Sequence, residues 1–137
     1  MNVRLRLLTA DDLETVRQLR NANRHAFFDD RETSVEDQRR WFERLSERPV
    51  RFMVIELDER VIGTISVAET SAGKEIGNLI IDPQYRGRGI MRRAVEQLTV
   101  EPGRYVAEIK AANEPSQRVF AAAGFTPDVI RVHKQVG

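Results

Sequence analysis

The sequence contains no cysteine, only two histidines and a single tryptophan, and neither sign of charge dominates. Without cysteine there is no disulfide, no thiolate nucleophile and no cysteine-held zinc or iron–sulfur centre, which fits a reducing compartment. His25 and His133 are too few for a histidine-rich metal site, so no metal is expected. Lys and Arg number 22 against 21 Asp and Glu, a net charge of +1, so no bulk field draws nucleic acid or an acidic membrane. Long apolar runs are missing too: Met1-Asn2-Val3-Arg4-Leu5-Arg6 has no signal-peptide stretch, and charges interrupt every later run short of a membrane span. The expectation is a cytoplasmic globular protein, and 137 residues suit one domain over 1–137 with one core.

What is present reads as alternating strands and helices. Val3, Leu5 and Leu7 alternate with Arg4 and Arg6, the period of a strand with one buried face. Thr9 with Asp12 starts a helix over about 10–23, and Ser34 with Asp37 starts a second from Val35 to Ser46. The polar and aromatic stretch from Asn21 to Thr33 has no clean period and reads as irregular. After Pro49, Arg51–Leu57 and Val61–Ala68 form a hairpin, with Gly63 marking a bulge or a close backbone approach. Glu75–Ile81 is another apolar strand, stopped at Asp82-Pro83. A helix with Ile90, Ala94, Val95 and Leu98 on one stripe comes next, then a strand over Tyr105–Ala111 and a helix over Ser116–Ala123. One or two closing strands are expected between Phe125 and Val136.

The most informative stretch is Gln84-Tyr85-Arg86-Gly87-Arg88-Gly89-Ile90-Met91. Glycines admit an oxyanion to backbone amides, the following helix aims unpaired N–H groups the same way, and Arg86 and Arg88 add guanidinium forks. A phosphate-binding nucleotidase loop would need Lys-Ser or Lys-Thr where Ile90-Met91 stands, and a dinucleotide fold would place its glycines after the first strand. Hydrolysis of nucleotides and hydride transfer are both disfavoured.

These residues, with Ile76-Gly77-Asn78-Leu79-Ile80-Ile81-Asp82-Pro83 upstream and Asn113, Ser116 and Gly124-Phe125 downstream, resemble the GNAT superfamily of acetyl-CoA-dependent N-acyltransferases. The resemblance covers most of the chain. It implies an α/β (α+β) fold of βααβββαβα order, a central mixed, mostly antiparallel twisted sheet flanked by helices. It also implies that acetyl-CoA is bound by Arg86, Gly87, Arg88, Gly89, Ile90 and Met91 at the pyrophosphate, by the backbone of Leu79, Ile80 and Ile81 along the arm, and by Asn113, Ser116 and Phe120 near the thiol end. Two positions depart from the family pattern: Met91 occupies a slot usually Gly or Ala, and Phe120 stands where many relatives carry a tyrosine acid.

The implied chemistry is direct attack of an amine on the thioester in a ternary complex, with a backbone amide near Leu79 or Ile80 stabilising the developing oxyanion. Glu75, at the head of the strand leading to the glycine loop, is the favoured base, acting through water because a carboxylate is a weak base; Glu69 and His25 are reserves. Ser116 or Tyr105 would assist the departing thiolate. The acceptor is expected among Arg20, Asn21, Arg24, Phe28, Gln38 and Trp41, where arginines and aromatics suit an anionic or sugar-bearing ligand. This order loosely resembles GNAT members that acetylate amino groups on nucleotide-linked sugars.

The function expected is therefore acetyl transfer to a primary amine of a small metabolite, with an amino sugar as one form. Alternatives are a GNAT-like domain that binds acyl-CoA or a partner protein without catalysis, and a protein or peptide N-acetyltransferase. A nucleic-acid module on Arg86, Arg88, Arg92 and Arg93 lacks a flanking aromatic stacking platform. The short segment after Phe125 leaves room for a second copy to complete the sheet or pocket, so a homodimer is a further expectation.

Overall fold

A computed structural model describes residues 2–137. Five strands form one sheet: β1 (Val3–Leu7), β2 (Val50–Leu57), β3 (Arg60–Thr70), β4 (Gly73–Ile81) and β5 (Tyr105–Ala107). They lie in chain order, with the first four antiparallel and β5 parallel to β4. Four helices interleave with them: α1 (Leu13–Ala22), α2 (Val35–Leu45), α3 (Ile90–Leu98) and α4 (Glu114–Ala122). This is the βααβββαβα order and the mixed, mostly antiparallel sheet read from the sequence.

The sheet separates two apolar clusters. On one face Ile55, Ile62, Ile65 and Ile81 pack against Ile90, Ala94 and Val95 of α3 and Phe120 of α4. On the other, Phe52 and Val54 pack against Val16 of α1, with Trp41 and Leu45 of α2 alongside. Alternation in β2 makes the division: Met53 and Ile55 point one way, Phe52 and Val54 the other.

Local chemistry sets the helix starts. The Asp12 carboxylate accepts from the Thr9 amide at 2.8 Å and the Thr9 hydroxyl at 3.1 Å, anchoring a 3-10 turn over Ala10–Asp12 that leads into α1. Ser34 accepts from the Asp37 amide at 3.0 Å at the head of α2. Asn113 accepts from the Ser116 amide at 3.2 Å at the head of α4, where Pro115 fills an early position that needs no donor.

Two bulges shape the sheet. Ile55 and Glu56 face Gly63 and Val61, leaving Ile62 as the extra residue of β3. Next to it, a Cβ on Gly63 would sit 2.3 Å from the Ile80 carbonyl oxygen, so only glycine fits there. In β4, Thr64 and Ser66 face Ile80 and Gly77, leaving two residues, Asn78 and Leu79, opposite Ile65. Asn78 takes φ +52°, its side-chain amide donates to Ser66 Oγ at 2.9 Å, and its carbonyl accepts from Thr64 Oγ1 at 2.6 Å.

Two expectations are corrected. The strand expected over Tyr105–Ala111 ends at Ala107, because β4 offers it a partner only at Lys74, Glu75 and Ile76 before the bulge. The closing strands expected after Phe125 do not form, and Val129, Ile130, Val132 and Val136 are exposed there. Alternating apolar residues make a strand only where a sheet edge receives them.

Candidate active site

Beyond Ile76 and Ala107 the two parallel strands lose their pairing, so residues 77–81 of β4 have a strand neighbour only in β3. The chain then leaves β4 through a 3-10 turn over Pro83–Tyr85, capped by Asp82 Oδ1 accepting from the Gln84 amide at 3.0 Å. Gly87 and Gly89 follow with φ +78° and +74°, conformations that side chains disfavour. Apart from their chain neighbours, no described atom lies within 4 Å of where a Cβ would stand on either, and neither amide donates a hydrogen bond to a described residue. Gly89 caps α3 without a side-chain hydrogen bond, and the first turn of α3 holds no acid. Arg88 lies over the Tyr85 ring at 5.1 Å, and Arg86 Nη2 donates to Asn23 Oδ1 at 2.7 Å. Open donors, a helix terminus and two cations with no carboxylate partner among the described residues fit the diphosphate of CoA.

On the opposite side of β4 lies a cavity of about 290 Å³ between the sheet and α2. Trp41, Leu45 and Phe52 wall it, while Ala68 and Gly77 leave its floor low. The bulge turns Gly77 and Asn78 together into this space, next to Glu75 and Ser66. Glu75 is half-buried, and its carboxylate has no hydrogen bond or ion pair to any other described residue. Its neighbour Lys74 pairs instead with Glu101 at 3.6 Å and lies over the Tyr105 ring at 5.6 Å. Glu75 is thus a carboxylate held on a rigid strand with its oxygens uncommitted.

The other candidates distribute unevenly. Leu79 is half-buried against the α3 and α4 core, while Ile80 and Ile81 are buried; main-chain contact at the three is compatible with core side chains. Ile90 is buried and Met91 packs half-buried on the same core, so the Met91 side chain points inward rather than across the glycine loop. Asn113 and Ser116 are half-buried at the head of α4. Phe120 is a core residue, 6% exposed, with its ring edge-on to Phe125 at 5.0 Å. Phe120 thus offers a cofactor no polar group, only the edge of a packed ring.

Tyr105 stands on the core face of the sheet, away from Glu75, and its hydroxyl donates to the Glu101 carbonyl at 3.0 Å. It is not brought to the cavity. Glu69 is exposed beside Lys74 at the far end of the β3–β4 pair, and His25 is exposed.

Three of the six acceptor candidates hold the loop between α1 and α2, and a fourth joins the two helices. Arg20 donates to the Asp29 carbonyl at 3.0 Å and covers the Phe27 ring at 4.0 Å; burial lowers its guanidinium pKa, with the Asp29 charge opposing. Asn21 clamps Thr33 twice, donating to its carbonyl at 3.0 Å and accepting from its amide at 2.8 Å. Arg24 pairs with Glu32 at 3.6 Å, and buried Gln38 donates to the Leu13 carbonyl at 2.6 Å, tying α2 to α1. Phe28 is 61% exposed. Trp41 alone of the six lines the cavity, set edge-on to Phe52 at 4.9 Å.

Ser66, Asn78 and Arg48 of the cavity lie outside the residues singled out from the sequence. Gly77-Asn78 inside an apolar strand was the available sign of a bulge, since both residues tolerate positive φ. Arg48 carries no sequence signal that separates it from Arg44 or Arg51.

A second groove, of about 490 Å³, runs between α1 and the ends of β3 and β4, where Gln18, Arg60 and Asp82 line it. It lies apart from Glu75 and holds none of the candidate residues.

A family model described as an acetyltransferase (GNAT) domain matches residues 2–126. A Bacillus subtilis (strain 168) protein named "putative ribosomal protein bS18-alanine N-acetyltransferase" is 29% identical over 97 residues, 66% of this chain and 64% of that protein, so the match spans less than two thirds of the relative. Among solved structures, a spermidine N-acetyltransferase from Vibrio cholerae in complex with CoA and spermine is 18% identical, with a TM-score of 0.79 over 93% of this chain and 82% of that one. A Salmonella typhimurium protein with its cofactor acetyl-CoA is 22% identical, with a TM-score of 0.75 over 92% and 80%. At these identities the structures share the fold.

Proposed function

The chain belongs to the GNAT acetyltransferase family, and from that membership we propose that it transfers the acetyl group of acetyl-CoA to the primary amine of a small molecule. One observation carries the reading: β4 parts from β5 where its bulge begins, with open glycine amides at one end of the gap and an uncommitted carboxylate, Glu75, beside it.

Acetyl-CoA supplies an activated acetyl group, and the amides of Gly87 to Met91, with Arg86 and Arg88, hold its diphosphate. Residues 77–81, unpaired toward β5, offer main-chain groups to the arm and a donor for the oxygen on which charge builds. Glu75 takes the proton that the amine must lose, directly or through water. No covalent nucleophile is needed when both substrates are held together. Ser116 is the remaining candidate to serve the departing sulfur, because Tyr105 is committed to Glu101 and Phe120 has no hydroxyl.

The named activity of the Bacillus relative supports a second reading, in which the amine is the N-terminus of a protein. The amino-sugar form has no support beyond the sequence pattern, since Arg20, Asn21 and Arg24, which suggested it, hold the α1–α2 loop.

The test is thiol release from acetyl-CoA over a panel of small amines and alanine-starting peptides, with binding of CoA measured alongside. Release with small amines supports the proposal, and release with peptides alone favours the second reading. Binding without release from any acceptor would leave the acyl-CoA-binding alternative, and absence of both would overturn the assignment.

A further inference from the structure

The cavity beside Glu75 has a second charged group at its mouth. Arg48 lies in the exposed turn between α2 and β2, and its guanidinium has no hydrogen bond or ion pair to any described residue. Arg39 and Arg40, two turns earlier on α2, are both paired with Glu36. Glu75 and Arg48 are the only charged residues that line the cavity among the described residues, one of each sign and both uncommitted. Most of the remaining lining is apolar, with Trp41, Leu45, Pro49, Val50 and Phe52, while the polar Ser66 and Asn78 are hydrogen-bonded to each other.

We infer that the acceptor is an amine whose far end carries an anion, a carboxylate or a phosphate, and that Arg48 is the residue that selects it. The inference rests on the acetyltransferase reading and names its substrate class. An amine brought to Glu75 directs the rest of the molecule along the apolar wall, and what stands at the mouth is a guanidinium fork that matches the oxygens of either anion. A diamine or polyamine would set its second ammonium against that cation, and no second acid lines the cavity to receive it. The acceptor preference thus differs from what the name of the Vibrio spermidine N-acetyltransferase would suggest, although the two folds superpose.

The test uses the whole chain with acetyl-CoA and four acceptor series of equal chain length: ω-amino acids, ω-aminoalkyl phosphates, alkylamines and α,ω-diamines. We expect kcat/KM for the anionic series to exceed that for alkylamines by about tenfold, chiefly through KM, with diamines lowest. The better of the two anionic series identifies carboxylate or phosphate. Arg48→Ala should erase the anionic advantage, and Arg48→Glu should reverse the order in favour of diamines. Because Arg48 is exposed and unpaired, both variants should melt with the wild type. The advantage should also shrink as salt rises, since the mouth is open to solvent.

A wild-type preference for diamines, or an order unmoved by Arg48→Glu, would overturn the charge assignment and leave the acetyltransferase reading standing. Thiol release from none of the acceptors, here or among peptides, would overturn both.

Discussion

Arg6 grips both carboxylate oxygens of Asp12, Nη1 on Oδ2 and Nη2 on Oδ1, each at 2.8 Å, while its Nε reaches Glu56 at 2.8 Å. One side chain of β1 thereby ties β2 to the turn that launches α1, the helix whose far end carries Asn21 and Asn23. The Asp12 side chain is nearly buried, so the pair acts with little screening.

The Arg6 guanidinium chiefly, and the Thr9 donors after it, outweigh burial and hold the Asp12 carboxyl down at about 2. Its ordinary value is 3.8, so the carboxylate stabilises the fold fully above about pH 4, and this contribution is lost as pH falls toward 2. Asp12→Asn should cost about 2 kcal/mol at neutral pH. Denaturant unfolding of both proteins should show that difference closing between pH 4 and pH 2; a constant gap would contradict the linkage.

Glu75→Gln keeps the shape of the cavity floor and removes the proton acceptor. Turnover at saturating amine should fall by about a hundredfold with acetyl-CoA affinity unchanged. Full turnover would move the proton to another group.

Gly87 and Gly89 stand at positive φ over open space. Valine at either should cost about 1–2 kcal/mol of stability from backbone strain. It should also weaken CoA binding by tenfold or more, which calorimetry at a temperature where the variant stays folded would read. Undiminished CoA affinity in both would place the diphosphate elsewhere.

Tyr105→Phe removes a hydroxyl that donates to the Glu101 carbonyl, on the face of the sheet away from Glu75. It should leave kcat at the wild-type value and lower stability by about 1 kcal/mol or less. A large loss of kcat in a stable variant would return Tyr105 to the chemistry.

Asn21→Ala breaks both hydrogen bonds to Thr33 and should loosen residues 23–33, seen as faster amide exchange there, for about 1–2 kcal/mol. If exchange is unchanged, the clamp is not what orders the loop.

The order of elements was readable because breakers and capping residues sit at the boundaries: Thr9, Ser34, Pro49, Asp82-Pro83 and Pro115 each mark an end with a local physical cause. The glycine loop was readable for the same reason, since positive φ before a helix is a local demand. What was not readable depended on partners far along the chain. Arg20, Asn21 and Gln38 have the composition of a ligand pocket, yet they serve carbonyls of Asp29, Thr33 and Leu13, up to 25 residues away. Val129 and Ile130 have the composition of a strand yet pair with none of the five. Glu75 stood out by its place before the loop, whereas Arg48 became notable only when α2 and β4 came to line one cavity.

The extra residue at Asn78 resets the pleat of β4 once. Ile76 before it and Leu79 and Ile81 after it all lie on the α3 side, although simple alternation would send Leu79 and Ile81 to the opposite face. Removing a single residue at that point would put the remainder of the strand half a period out of phase, exchanging Ile80 with Leu79 and Ile81 between the two faces and redirecting the exit toward Pro83. The aim of the glycine amides is therefore decided nine to eleven residues upstream of them, by a parity that no contact within the loop can correct.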